Sequence, residues 1–225
     1  MKYENILPAV FLARPNRFLA HVELDGQTVV CHVKNTGRCR ELLLPGVRVW
    51  VQHCPAPGRK TAYDLIAVEK HGAVINVDSN APNAVFGEWL RAGGLGQTEE
   101  IRPESTHGDS RFDFAFTLNT RPCFAEVKGC TLEEDGVALF PDAPTERGVK
   151  HLRGLTRAVS EGYGAYAVFV IQMRQVSRFE PNWATHPAFG EALREARDAG
   201  VQVLAFCCEA APDSLQIAEP VAIRL

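Results

Sequence analysis

The pattern of the chain changes near residue 80, and this change limits the possible folds more than any other feature. From residue 17 to residue 77, short β-prone runs alternate with turn residues. Beyond residue 80, helix-like and strand-like segments alternate, which is typical of an α/β domain. The stretch 80–83 is polar and broken by proline, so we expect two domains, residues 1–80 and residues 81–225.

Five strands are predicted in the first domain, and five short strands fit a small all-β barrel. Asp25 and Gly26 favour a two-residue hairpin turn between the first two strands, because both positions tolerate positive φ. Prolines and glycines separate the other strands. The predicted strands are residues 18–24, 28–33, 47–52, 63–69 and 73–77.

The second domain is predicted to alternate helices with strands. Asn83 is the expected cap of a first helix, which Gly93 and Gly94 end. A turn then joins two strands that we expect to pair with each other. The predicted elements after the first helix are strands over 111–118 and 123–129, a helix over 145–160, a strand over 165–172, a helix over 187–199 and a strand over 201–207.

Composition and cysteine usage favour a globular cytoplasmic protein. A hydrophobic fraction of 46% is enough to build a core. The seven cysteines are scattered without a C-x-x-C pair, which favours free thiols in a reducing compartment. Pro8 and Arg14 interrupt the N-terminal apolar run, so we expect neither a signal peptide nor a membrane-spanning segment.

The charges are distributed unevenly between the two predicted domains. Residues 1–80 carry ten Lys and Arg against seven Asp and Glu, whereas residues 81–225 carry 14 against 20. An acidic second domain is expected where carboxylates gather to hold cations, although solvated helix faces give the same sum. The balance permits a nucleic-acid partner without indicating one.

Asp113, Glu126 and Lys128 are the residues that most suggest chemistry. In the run RFDFAF at 111–116, strand alternation predicts all the phenylalanines on one face and Asp113 on the other. Glu126 and Lys128 are two positions apart in the next strand and therefore share a face. Because only a short turn separates the two strands, we expect the three side chains to converge.

Two converging carboxylates would suit Mg²⁺ or Mn²⁺, which take carboxylate, water and phosphate oxygens. Such an ion acidifies a bound water and neutralises charge on a phosphodiester under attack. Lys128 is placed to orient or deprotonate that water or to stabilise transition-state oxygens. The alternative is a solvated charge pair on an exposed strand, since E-x-K alone is a weak motif.

Three residues outside this group are further candidates. Glu88, on the helix before the paired strands, is a candidate third carboxylate for the metal, with Glu104 as its competitor. Gln172 is the first polar residue after a buried strand and is a candidate catalytic residue. For each of them an ordinary solvated side chain is the alternative.

Two basic surfaces are candidates for binding nucleic acid through its phosphates. The helix over 145–160 has cations along one arc, apolar residues opposite and Thr145 as its N-cap. In the barrel, basic residues are interleaved with Phe11 and Phe18, which we assign to the core. The candidates are Arg147, Lys150, His151, Arg153 and Arg157 on the helix, and Arg14, Arg17, Lys34, Arg38 and Arg40 on the barrel.

Several strings, read in order, resemble the sugar fermentation stimulation protein A (SfsA) family over almost the whole chain. Because they are ordered and spaced along the sequence, they are far more specific than E-x-K alone. They are PNRF at 15–18, HVKNTGR at 32–38, SRFDF at 110–114, EVK at 126–128, FPDAPT at 140–145 and RGVKHL at 147–152.

The resemblance implies an oligonucleotide-binding (OB)-type barrel joined to an α/β domain like those of the PD-(D/E)xK, or restriction-endonuclease-like, nucleases. It also implies DNA binding of low sequence preference and a regulatory part in sugar, notably maltose, metabolism. Carried over by position, the site comprises Asp113, Glu126 and Lys128, with Glu88 and Gln172. One departure is visible: the family pattern leads us to expect arginine directly after the glutamine, where this chain has Met173.

The leading hypothesis is a cytoplasmic protein that binds single- or double-stranded DNA and carries a Mg²⁺-dependent nuclease site. One alternative is a non-catalytic DNA-binding regulator that retains a nuclease-like fold. A second alternative is a sugar- or metabolite-binding module, which a small barrel would allow. The oligomeric state is open, with a homodimer among the alternatives.

Overall fold

The computed structural model describes residues 1–35 and 37–225. In its N-terminal part, one sheet has the strand order β3-β2-β1-β4-β5-β6, and an additional pairing of β3 with β5 closes the first five strands into a barrel. The predicted small barrel is therefore confirmed. Its strands are β1 (Ile6–Asn16), β2 (Leu19–Leu24), β3 (Gln27–Val33), β4 (Arg48–His53), β5 (Tyr63–Lys70) and β6 (Ala73–Asn76).

The strand β1 was not predicted, because Pro8 cannot donate to a ladder and argues against a strand between two neighbours. In the structure Pro8 pairs with Trp50 of β4, whereas the pairing of β1 with β2 runs only from Val10 onward. At Pro8 one side of the strand therefore needs no ladder hydrogen bond. The barrel accommodates the proline where β1 has a single neighbour.

The second domain is built on a mixed sheet with the strand order β15-β14-β12-β9-β8-β7. The pairs β9–β12 and β12–β14 are parallel, and the other neighbours are antiparallel. The predicted α/β architecture is confirmed. The strands are β7 (Thr98–His107), β8 (Ser110–Leu118), β9 (Arg121–Cys130), β12 (Gly164–Ile171), β14 (Gln202–Ala211) and β15 (Ser214–Pro220).

Helices cover both faces of this central sheet. The helix α1 (Ala81–Arg91) packs Phe86 and Leu90 into a core cluster on one face. The helices α2 (Glu146–Ser160) and α3 (Pro187–Asp198) pack Leu152 and Leu193 into the cluster on the other face. This second cluster is continuous with the core of the barrel, so the two domains share buried apolar surface.

A small third sheet was not predicted. Its strands are two to four residues long, and most of their partners lie far away in sequence, so a local pattern gives little sign of them. The sheet has the order β10-β11-β13-β16. The strands are β10 (Leu132–Glu134), β11 (Val137–Phe140), β13 (Arg178–Pro181) and β16 (Ala222–Ile223).

The first residues of the chain pack against the second domain. The backbone N–H of Tyr3 donates to Asp213 O (2.7 Å), and that of Leu215 donates to Met1 O (3.1 Å). Residues 1–3 thus run beside β15 before the chain enters the barrel. Within the described part of the chain, no helix is long and apolar enough to cross a membrane.

Candidate metal and nucleic-acid site

Asp113 and Glu126 lie where the strands β8 and β9 separate. The two strands pair as far as Phe114 opposite Ala125, and Asp113 and Glu126 are the next residues on each strand. Beyond this point the backbone N–H of Val127 donates to the Asp113 carboxylate (2.7 Å) instead of to the β8 backbone. The expected pairing of the two strands is confirmed, and the two acidic residues occupy its open end.

The expectation that all three phenylalanines of β8 share one face is wrong. Phe112 packs against Phe124 in the cluster beneath α2, whereas Phe114 packs against Phe86 of α1. The alternation therefore breaks at Asp113. On β7, Glu104 lies between Pro103 and Ser105, which pair with Phe114 and Phe112, and its φ of 53° marks a local distortion of the ladder.

Asn83 is the second residue that holds Asp113. The sequence predicted Asn83 as a helix cap, but α1 begins three residues before the expected point, with Asn80 as N-cap and proline in the first turn. Asn83 instead lies in the first turn and donates its amide to Asp113 Oδ1 (2.9 Å). Both Asp113 oxygens thus accept a hydrogen bond from the protein.

Glu126 is buried, with 4% of its side chain exposed. Its Oε1 atom accepts hydrogen bonds from Lys128 Nζ and from His151 Nδ1. Within residues 1–35 and 37–225, its Oε2 atom is buried without a hydrogen-bond partner. A buried carboxylate oxygen of this kind is costly unless a cation or solvent reaches it.

Burial and neighbouring charges shift the ionisation of both carboxylates. Burial, and then the nearby Glu126 carboxylate, raise the pKa of Asp113 despite the hydrogen bonds from Val127 and Asn83. Burial alone also raises the pKa of Glu126, but the hydrogen bond from His151 and the charge of Lys128 outweigh it and leave that pKa below its usual value. Two neighbouring buried carboxylates are stabilised in their ionised form by a nearby positive charge.

His151 connects this acidic pair to the helix α2. Its Nδ1 atom faces Glu126 Oε1, and its Nε2 atom accepts a hydrogen bond from Arg147 Nε (3.3 Å). A neutral ring with the proton on Nδ1 satisfies both partners at once. Only 12% of the side chain is exposed. The sequence placed His151 on the polar side of the helix, and its 3.6-residue spacing gave no sign of a contact with β9.

The donor set fits a hard divalent cation. Among the described residues, no group of three or more His, Cys, Asp or Glu side chains is arranged to hold a metal. Asp113 and Glu126 supply two carboxylates, and the buried Glu126 Oε2 lacks a partner in the described chain. Mg²⁺ commonly uses one or two carboxylates and completes its shell with water and phosphate oxygens. The arrangement suits that ion better than zinc.

Glu88 and Glu104 are engaged elsewhere. The Glu88 carboxylate binds the amino group of Met1 (2.7 Å), and Glu104 pairs with Arg111 on the exposed edge of the sheet. Neither ion pair involves Asp113 or Glu126. The structure does not bring Glu88 or Glu104 into the group formed by Asp113 and Glu126.

Gln172 is buried at the junction of the two domains. Its amide nitrogen donates to the Asn76 side chain (2.9 Å) and to Asp78 O (3.0 Å) of the barrel. Its Oε1 atom lies against Gly129, where an added Cβ would come within 2.5 Å of it. Gln172 is therefore next to the E-x-K strand, with its donors used to fix the barrel to the sheet.

The basic residues of the barrel fall into two groups. Arg14 donates to the backbone oxygens of Arg17, Asn35, Gly37 and Arg38, and Lys34 is paired with Asp64 and Asp78. These two cations are used inside the domain. Arg17, Arg38 and Arg40 are exposed and border a cleft of about 390 Å³.

Phe18 lies at the tip of the hairpin between β1 and β2, and the expectation that it is a core residue is wrong. The side chain of Asn16 accepts from the N–H groups of Phe18 and Leu19, which closes the turn. Phe18 is 45% exposed, and the Arg17 guanidinium lies 4.6 Å from its ring centroid. Phe11, by contrast, is 1% exposed and belongs to the core, as expected.

The helix α2 presents its cations to solvent. Thr145 caps it through a hydrogen bond from Gly148 N (3.1 Å), as predicted. Its apolar side is buried, and Arg147, Lys150 and Arg153 are exposed. Asp109 lies beside this surface and pairs with both Lys150 and Arg157.

The fold defines a two-domain protein in which an OB barrel precedes a restriction-endonuclease-like α/β domain. Residues 12–77 match the family model described as the SfsA N-terminal OB domain, and residues 80–214 match the Sugar fermentation stimulation protein RE domain. The chain belongs to the SfsA family, the sugar fermentation stimulation proteins.

Relatives cover the whole chain. The Sugar fermentation stimulation protein homolog of Desulfitobacterium hafniense (strain DSM 10664 / DCB-2) is 55% identical over 100% of this chain and 99% of its own. The homolog of Clostridium beijerinckii is 50% identical over all of both chains. The solved structure of Pyrococcus furiosus SfsA in complex with Ca²⁺ is 28% identical, covers 100% of this chain and 98% of its own, and superposes with a TM-score of 0.90.

Proposed function

We propose that this protein binds DNA with low sequence preference and hydrolyses phosphodiester bonds at Asp113, Glu126 and Lys128 with Mg²⁺ or Mn²⁺. The observation that carries the proposal is the buried Glu126 Oε2 atom, which has no partner in the described chain and belongs to a carboxylate that interacts with Asp113. The Ca²⁺ complex of the related Pyrococcus furiosus protein supports an oxygen-coordinated divalent cation.

Asp113 and Glu126 would hold the cation, each already oriented by hydrogen bonds from the protein. The bound ion would supply positive charge against the phosphodiester oxygens and acidify a water molecule. Lys128 is 21% exposed and donates a hydrogen bond to Glu126 Oε1. It would donate to a phosphate oxygen as charge develops there, which is the stabilisation that such transfers require.

The phosphate backbone would be held by the exposed cations of both domains. On α2 these are Arg147, Lys150 and Arg153, and on the barrel they are Arg17 and Arg38. Phosphate contacts of this kind carry no sequence information, which accounts for low sequence preference. Arg14 and Lys34 would act indirectly, by holding the barrel loop that presents Arg38.

The barrel surface favours a single strand as the first ligand. The exposed ring of Phe18, with Arg17 over one face, offers a stacking surface beside basic groups. Stacking of a base on an aromatic ring contributes about 1–3 kcal/mol and tolerates any base. A single-stranded or locally opened DNA segment is the form that presents such bases.

The physiological setting is also a proposal. A cytoplasmic location is supported by seven free cysteines, all in the described part of the chain and six of them buried. The protein would take part in the regulation of sugar metabolism, notably of maltose, by binding DNA. A non-catalytic DNA-binding regulator would use the same basic surfaces and differ only in lacking cleavage.

A cleavage assay separates these functions. Purified protein is incubated with single- and double-stranded DNA and Mn²⁺ or Mg²⁺, beside Asp113→Ala, Lys128→Ala and the control Glu195→Ala, which alters an exposed side chain on α3. Metal-dependent cleavage that is lost in the first two variants and kept in the control supports the enzyme. Equal cleavage in all variants rejects the site.

Binding without cleavage in every preparation identifies the non-catalytic regulator instead. Absence of binding to any nucleic acid at low salt rejects both DNA functions. The same samples, measured over a salt series, report how many phosphates are contacted.

A further inference from the structure

His151 lies on α2 and contacts both Glu126 of the acidic pair and Arg147 of the basic surface. Both ring nitrogens are used inside the protein: Nδ1 faces Glu126 Oε1, with Lys128 Nζ 3.4 Å away, and Nε2 accepts from Arg147 Nε. Two contacts on opposite sides of the ring fix its plane as well as its place. A ring held in this way is poorly available for a DNA phosphate and well suited to orient a carboxylate.

The hydrogen bonds on Glu126 are distributed unequally. Its Oε1 atom accepts from both His151 and Lys128, whereas the buried Oε2 atom has no partner in the part of the chain that the structure describes. The donors on one oxygen set the rotation of the carboxylate. They leave the other oxygen without a donor from the described chain, as a ligand for a cation would be.

Lys128 alone is a weaker constraint than His151. Its ammonium group ends a flexible four-carbon stem and would also serve the phosphate of a substrate. The imidazole of His151 projects from a helix whose apolar side is buried, and only 12% of the side chain is exposed. When Lys128 turns toward a phosphate, the His151 bond still holds Glu126.

We propose that His151 is a positioning residue that orients Glu126 for the divalent cation by donating Nδ1–H to Oε1. This inference rests on the proposed function, because it assigns a role toward the same cation. Partners that orient ligating carboxylates typically contribute 10- to 100-fold in metal affinity. His151 thus acts on the cation through Glu126 and not by direct contact.

The test measures Mn²⁺ affinity by calorimetry on the full chain without nucleic acid. The variants are His151→Leu, His151→Asn and His151→Gln, with Asp113→Ala as the site control and Thr156→Ala as a helix control. Thr156 lies on α2, and its hydroxyl donates back to Leu152 O of the same helix. We expect about 10- to 100-fold weaker binding in His151→Leu and unchanged binding in Thr156→Ala.

The conservative variants separate positioning from a general structural effect. The amide nitrogen of Asn occupies the place of Nδ1, whereas that of Gln occupies the place of Nε2, so Asn should recover more affinity than Gln. If His151→Leu fails to fold, the comparison of Asn with Gln still tests whether the Nδ1 contact orients Glu126.

Three results would overturn the inference. Mn²⁺ affinity equal to wild type in His151→Leu, with binding lost in Asp113→Ala, removes the role of His151 and leaves the metal site intact. Equal Mn²⁺ affinities of His151→Asn and His151→Gln would show that loss of the Nδ1 contact does not cause the weaker binding. Absence of Mn²⁺ binding in wild type, or undiminished binding in Asp113→Ala, removes the metal site itself and the inference with it.

Discussion

Glu126 on the central sheet and His151 on α2 are joined by a hydrogen bond between Oε1 and Nδ1. Through this bond the strand that carries the E-x-K residues is tied to the helix that carries the exposed cations. Arg147 continues the connection to the surface, since its Nε atom donates to His151 Nε2. The proposed cation site and the proposed phosphate clamp therefore share one chain of contacts.

Asn83 supports Asp113 from α1, and its removal should weaken the cation site. In Asn83→Ala the Asp113 Oδ1 atom loses a donor at 2.9 Å, so we expect a loss of about 1–2 kcal/mol in the free energy of unfolding and weaker Mn²⁺ binding. Thermal unfolding and calorimetry measure the two effects. Asn80→Ala is the matched control, because the Asn80 side chain makes no capping hydrogen bond in the same helix. Equal behaviour of the two variants would contradict the assigned contact.

Phe18 should contribute to binding of single strands and little to stability. Because its ring is 45% exposed at a hairpin tip, Phe18→Ala should weaken single-stranded DNA binding about 5- to 150-fold, the equivalent of about 1–3 kcal/mol, and leave duplex binding nearly unchanged. Fluorescence anisotropy with an oligonucleotide checks this.

Leu44→Ala serves as the control for Phe18→Ala, since Leu44 is a comparably exposed apolar residue of the barrel domain (51%) that lies outside the Arg17–Phe18 pair. A similar loss of affinity in both variants would indicate a general surface effect. Unchanged affinity in Phe18→Ala would remove the stacking surface from the proposal.

Arg153 and Arg157 share one side of α2 but should differ in their contribution to DNA binding. Within residues 1–35 and 37–225, no carboxylate oxygen lies within 4 Å of the Arg153 guanidinium, whereas Arg157 pairs with Asp109. Arg153→Ala should therefore lower the slope of log affinity against log salt by about 1, and Arg157→Ala by less. The measurement is a salt titration of DNA binding. A larger effect at Arg157 would mean that Asp109 is displaced by DNA.

Features set by local spacing were predictable from the sequence. The paired strands around the site and the division of α2 into a basic and an apolar side follow from periods of 2 and 3.6 residues, which few neighbours suffice to reveal. Thr145 as a cap is of the same kind. The resemblance to the SfsA family supplied the OB barrel and the nuclease-like fold, which the strand count alone left open.

Features set by contacts between distant segments were not predictable. Asn83 reaches Asp113 across 30 positions, and Gln172 reaches Asn76 across 96. The break of alternation at Asp113 coincides with a positive φ at Glu104 on the neighbouring strand β7. Phe18 is exposed because Asn16 closes a turn one residue later than the hydrophobic pattern indicated. For Asp113 and Gln172 the deciding partner lies outside the window that a periodic pattern samples, whereas the turn at Phe18 is local and depends on side-chain hydrogen bonds from Asn16 that a hydrophobic pattern does not register.

Glu133 should make the junction of the two domains sensitive to acid. Its carboxylate binds Lys70 of the barrel (2.7 Å) and the Gly136 N–H (2.6 Å). Burial raises the pKa of Glu133, but these hydrogen bonds outweigh it and leave the pKa below its usual value. The stabilisation is therefore present above the unfolded pKa of about 4.3 and is lost as pH falls through the lower pKa of the folded state.

We expect Glu133→Gln to lower the free energy of unfolding by about 1–2 kcal/mol at pH 7, with the difference from wild type shrinking below about pH 4. Thermal melts at a series of pH values measure it. Glu134→Gln, at the exposed neighbouring position on β10, should match wild type throughout. A difference that persists unchanged in acid would contradict the assigned role of the Glu133 charge.

Arg14 should be needed as an arginine and not merely as a cation. Its guanidinium donates to four backbone oxygens at 2.7–2.9 Å, those of Arg17, Asn35, Gly37 and Arg38. A lysine has three donors on one atom and cannot reproduce the planar fork, so Arg14→Lys should lower the free energy of unfolding by about 2 kcal/mol. Arg17→Lys, at the exposed hairpin tip, is the matched control and should leave stability unchanged. Urea unfolding compares the two variants.

Arg14→Lys should also weaken DNA binding, because Arg14 holds the loop that presents Arg38. If Arg14→Lys keeps both full stability and full DNA affinity, the loop holds its shape without the guanidinium fork.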